Sequence, residues 1–93
     1  MAVQFMKGRI NENQMRSNLA NIAWTQMFTH GTPEEDTKQI LEIYTGEAML
    51  GFEYLPGPEF YKYVDKNRSV IDPLVAEAIQ AAKDIQAQVT SNA

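Results

Sequence analysis

The sequence predicts an all-α fold, a small bundle of three to four helices with an extended N-terminal arm. Apolar residues recur at helical spacing along most of the chain, prolines sit where helices begin, and no convincing pair of strands is present. Residues 1–12 read as the arm or a short strand, because Val3 and Phe5 flank polar Gln4 and Gly8 interrupts any helix. Residues 13–90 read as a single helical domain, and residues 91–93 as a frayed end.

From Asn13 to His30, Met15, Leu19, Ile22, Ala23 and Met27 fall on one helical face. Asn11 or Asn13 supplies an N-cap oxygen, and Gly31 stands where a left-handed residue ends a helix. Trp24 and Phe28, four apart, lie beside this stripe and broaden it, so the helix requires more than one neighbour. Thr32-Pro33-Glu34-Glu35 combines a capping threonine, proline at the first helical position and glutamate at the third, which predicts a helix start. The acidic turn Glu34, Glu35 and Asp36 complements the positive end of the helix dipole. This second helix continues through Ile40, Ile43, Tyr44, Ala48, Gly51 and Leu55, and its glycines allow either close packing or a break near Gly46.

Pro56-Gly57-Pro58 turns the chain, since proline lacks an amide donor and restricts the residue before it. A short helix then runs from Pro58 to about Lys66, with Phe60 and Val64 four apart, and Asn67-Arg68-Ser69 ends it. Asp72-Pro73 repeats the cap-then-proline signature and starts the last helix, whose period is the cleanest in the chain: Val75, Ala78, Ile79, Ala82, Ile85, Gln86 and Val89.

Composition narrows the function by exclusion. Ninety-three residues form one modest core and no second domain. Without cysteine there is no disulfide framework or thiolate metal site, and a single histidine removes multi-histidine zinc sites, so neither metal nor cofactor is expected. A net charge of −4 argues against double-stranded nucleic acid. Neither a spanning segment nor a signal peptide is evident, which makes the cytoplasm the expected location and a membrane an unexpected partner. Residues 1–30 nevertheless balance at +2 and residues 31–93 at −6, so the two parts attract each other within a molecule or between copies.

Catalysis has little to draw on. His30 reads as a C-terminal cap, carboxylate pairs such as Glu42 and Glu53 arise by chance among twelve acids, and no phosphate loop, calcium loop or zinc-protease motif occurs. The most unusual feature is aromatic. Tyr44, Phe52, Tyr54, Phe60, Tyr61 and Tyr63 cluster around Pro56, with Phe60 and Tyr44 expected to fill core and the rest its edge or a binding surface. The leading expectation is a nonenzymatic protein–protein interaction module, an adaptor, assembly factor or inhibitor, that self-associates as a homo-oligomer. Its candidate contacts are Trp24, Phe28, Phe52, Tyr54, Tyr61 and Tyr63. The alternative is a binder of an anionic, nucleotide-like ligand, with a base stacked on Tyr61 or Tyr63 and phosphate held by Lys62, Lys66 and Arg68, possible also between subunits. Glu59 and Asp65 weigh against it, as they reduce that segment to a net +1.

Overall fold

Helix α1, Glu12–Trp24, is capped by Asn11, whose extended backbone aims Oδ1 at the Gln14 amide, 2.7 Å away. The computed structural model describes residues 11–51 and 55–91, so the expected arm, including Val3 and Phe5, lies outside the described residues. So do Phe52 and Tyr54. Among the described residues the fold is an all-α bundle of four helices without a strand. It is elongated, with principal extents of 44 × 26 × 20 Å.

At its C-terminal end α1 widens into a π-helical turn, Thr25–Thr29, in which the His30 amide reaches back to the Thr25 carbonyl at 3.0 Å. Gly31 then takes a φ of +69°, the left-handed conformation its position in the sequence called for, and the Thr32 amide closes on the Gln26 carbonyl at 2.7 Å.

Helix α2 is Glu34–Met49, one residue later than the sequence implies. The expected Thr32 cap is not made: its hydroxyl donates to Oε1 of Gln26 at 2.9 Å, which ties it to the preceding turn. Pro33, with ψ of 150°, becomes the N-cap, and its carbonyl receives both the amide and the hydroxyl of Thr37. Of the two alternatives at Gly46, the structure takes the continuous helix. A Cβ there would stand 3.0 Å from both Phe60 Cζ and Val64 Cγ2, so the missing side chain is what lets α3 approach. Gly51, φ +68°, terminates α2.

Helix α3, Gly57–Lys66, follows Pro56, with Pro58 in the first turn where its absent N–H leaves no bond unmade. The last helix departs most from expectation. Helix α4 is Arg68–Ser91, beginning four residues before Asp72, with Pro73 inside it. Asn67-Arg68-Ser69 is therefore a corner, not a gap. Nδ2 of Asn67 donates to the Tyr63 carbonyl at 2.8 Å, while the Asn67 carbonyl accepts the amides of Val70 and Ile71 at 3.0 Å each. With the helix already nucleated there, Pro73 removes only the bond to the carbonyl of Ser69, an exposed residue within reach of water. Ser91, expected to fray, is helical, and residues 92–93 lie outside the described residues.

Cross-helix pairs define the topology. Arg16 meets Glu77 at 3.2 Å and Trp24 meets Gln86 at 3.1 Å, so residue numbers rise together and α1 and α4 are parallel. Glu34 with Lys83 and Glu42 with Arg68 run the opposite way, so α2 is antiparallel to α4. Between these helices Met15, Leu19, Leu41 and Ile71 are fully buried, while Trp24, Tyr44 and Phe60 pack against the core partly buried. Thr37 and Thr45 are the buried polar residues, and each satisfies its hydroxyl on a backbone carbonyl of its own helix turn.

Candidate functional site

Two surfaces compete as the site, and the first is the basic and aromatic segment of α3. Tyr61 is exposed and meets Phe60 edge-on, with centroids 5.8 Å apart, whereas Tyr63 turns inward against the core, where burial raises its phenol pKa above the ordinary value. Tyr61 and Tyr63 therefore do not present two rings to one ligand. Lys62 and Lys66 are exposed one helical turn apart.

Arg68 is already occupied. Its guanidinium binds Glu42 of α2 through Nη1, Asp65 at 3.0 Å and Asp72 at 3.3 Å, and the Glu42 hydrogen bond is the largest cause holding its pKa above the ordinary arginine value. Beside it a groove of about 420 Å³ opens between α2 and α3, with Ile43 and Tyr61 on its walls and Glu35, Asp36 and Glu42 among its lining. Three carboxylates against one neutralised cation disfavour a phosphate in that groove. The ion pair closes the corner between α2, α3 and α4 instead.

The second surface lies at the opposite end of α4. Ile71, Val75, Ala78, Ala82, Ile85 and Val89 follow one another at steps of four, three, four, three and four, a single stripe down one side of the helix. The first four are 0 to 5% exposed, but Ile85 is 40% and Val89 53% exposed. The stripe thus loses its cover toward the C-terminal end of α4. Phe28, 41% exposed in the π-helical turn, stands at the same end, because the parallel pairing of Trp24 with Gln86 places it, one turn on, level with Val89 and Thr90.

Among the described residues this end also carries no Asp, Glu, Lys or Arg side chain. No Asp, Glu, Lys or Arg occurs from Ser17 to Pro33 or from Ile85 to Ala93, and the parallel arrangement of α1 and α4 brings the two runs into contact at Trp24 and Gln86. The charged residues that border these runs in sequence are Arg16, Glu34 and Asp84, and Lys83, next to Asp84, is bound to Glu34 at 2.7 Å. That contact, a hydrogen bond first and a charge attraction second, lowers the Glu34 pKa below its ordinary 4.5.

Of the six aromatic contact candidates, Phe28 is exposed at this end and Tyr61 is exposed on α3. Trp24 packs against the core with its indole N–H donated to Gln86, which anchors α1 to α4. Ile85 and Val89 were not among the candidates, although the charge-free runs flanking them are readable in the sequence. Among the described residues, no group of three or more His, Cys, Asp or Glu side chains is placed to hold a metal ion. No helix among them is long and apolar enough to cross a membrane. Comparison with protein-family models, curated proteins and solved structures gives no match for this chain.

Proposed function

We propose that this protein is a nonenzymatic protein–protein interaction module whose contact surface is the charge-free end formed by the π-helical turn and the last two turns of α4. The observation that carries the reading is the emergence of the core stripe at Ile85 and Val89. Elsewhere on α4 that stripe is covered by other helices, and removing the remaining apolar area from water at about 25 cal/mol per Å² favours a partner that covers it. Phe28 adds an aromatic anchor of the type that dominates interface energetics.

The competing nucleotide-like ligand receives less support, since Arg68 is committed to three carboxylates and Tyr63 faces the core. The test compares proteins captured from the native source by the wild-type chain, by Ile85→Glu/Val89→Glu and by Tyr61→Ala. The expected result is that proteins enriched by the wild type are lost with the double variant and kept with Tyr61→Ala. Equal capture by all three chains would remove the charge-free end from the function.

A further inference from the structure

We propose that α3 is a hinged flap, seated on α2 at Gly46 and latched by Arg68, that opens as one unit while α1, α2 and α4 stay folded. Opening bares Gly46 together with Phe60 and Val64, an apolar contact that the closed form covers. The flap joins the opposite end of α4 from Ile85 and Val89, so it stands or falls separately from the interaction surface proposed there.

The seat is shallow. Of the ten residues of α3 only Val64 is buried, Phe60 and Tyr63 are partly so, and Tyr61 is 53% exposed. Phe60 and Val64 rest on Gly46, which at that point offers no side chain to interlock with, so lifting α3 disengages a smooth contact. A groove of about 420 Å³, with Ile43, Tyr61 and Val64 in its lining, already parts the two helices along this seam. Ten residues also fall short of the roughly 12 to 15 that hold a helix alone in water, so α3 depends on its seat.

Polar contact with α2 runs through one side chain. Among the described residues no hydrogen bond or ion pair joins α3 directly to α2; Arg68, the first residue of α4, holds Asp65 of α3 at 3.0 Å and Glu42 of α2 with the same guanidinium. Glu42 is the only one of its three carboxylates that belongs to α2, so neutralising Glu42 releases the latch and leaves Arg68 paired with Asp65 and Asp72. The chain enters α3 at Gly57, where nothing lies within 4 Å of the missing side chain, and leaves it through the single residue Asn67. Short element ends of this kind are where a hinge absorbs its rotation.

Native-state hydrogen exchange of the full chain, followed amide by amide by NMR, tests the flap. Amides from Tyr61 to Lys66 are expected to exchange at least about tenfold faster, relative to their unfolded rates, than those around Leu19 in α1 and Ala78 in α4. Glu42→Gln is expected to raise the α3 rates a further two- to fivefold or so, roughly the span that an exposed ion pair commands, with α1 and α4 unchanged. Asp72→Asn, which removes a partner of Arg68 on its own helix, is expected to leave the α3 rates as they are. Equal protection of α3, α1 and α4 would mean that α3 opens only when the whole chain unfolds, and overturns the flap. A rise of one size in every helix on Glu42→Gln, or none in α3, overturns Arg68 as its latch.

Discussion

Helix α4 carries one apolar stripe through two environments. From Ile71 to Ala82 its side chains meet Met15, Leu19 and Leu41 of the neighbouring helices and are sealed from water. At Ile85 and Val89 the same stripe, with the same spacing, is exposed, as is Phe28 in the π-helical turn. Identical local patterning is thus buried against neighbouring helices in one half of the helix and exposed in the other. The difference lies in what packs on each half of α4, not in the spacing of its apolar residues.

The largest expected effect tests the covered half. Leu41→Ala or Ile71→Ala leaves a cavity among fully buried side chains and is expected to lower unfolding free energy by about 2 to 5 kcal/mol, against less than about 0.5 kcal/mol for Val89→Ala at the open end. Chemical denaturation measures both, and comparable losses would show that the two halves are equally packed. At the α2–α3 contact, Gly46→Ala gains helix propensity but drives a methyl group to 3.0 Å from Phe60 and Val64. A net destabilisation of about 1 kcal/mol is expected, and a stabilised variant would mean that α3 yields without cost.

Smaller effects separate the two candidate surfaces. Arg68→Gln is expected to loosen the corner of α2, α3 and α4 and to lower the melting temperature slightly, as surface ion pairs generally contribute little. Nucleotides are expected to leave the melting temperature of the wild type unchanged; a saturable rise would restore the ligand reading of Lys62, Lys66 and Arg68.

The smallest effect borders the charge-free end. The Glu34 pKa is depressed in the folded chain, so its bond to Lys83 contributes stability that is present above the unfolded glutamate pKa and is lost as pH falls through the lower folded value. Carboxyl NMR titration is expected to show the Glu34 midpoint below 4.5, returning toward it in Lys83→Met. A midpoint unmoved by that substitution would assign the shift to another cause.

Much of the fold was readable because its signals act within one turn. Asn11 caps a neighbour three residues away, Gly31 accepts a positive φ without a Cβ clash, and Met15, Leu19 and Ala23 need only helical periodicity to share a face. The same locality misled at Thr32 and at Asp72-Pro73. Gln26 competes for the Thr32 hydroxyl, and the bonds of Asn67 start α4 before the proline is reached.

The site was less legible. The sequence drew attention to Tyr61, Tyr63 and the nearby cations, a cluster along the chain that the fold divides between core, solvent and an ion-pair network. By itself the sequence determined the helical class, most helix limits and the stripe on α4, since these depend on residues within a few positions of one another. Only the tertiary structure decided that α1 and α4 run parallel, that Arg68 is held by three carboxylates, and that the stripe loses its cover at Ile85. Each of those follows from where distant segments lie in space, and burial is a property of neighbours that no local pattern specifies.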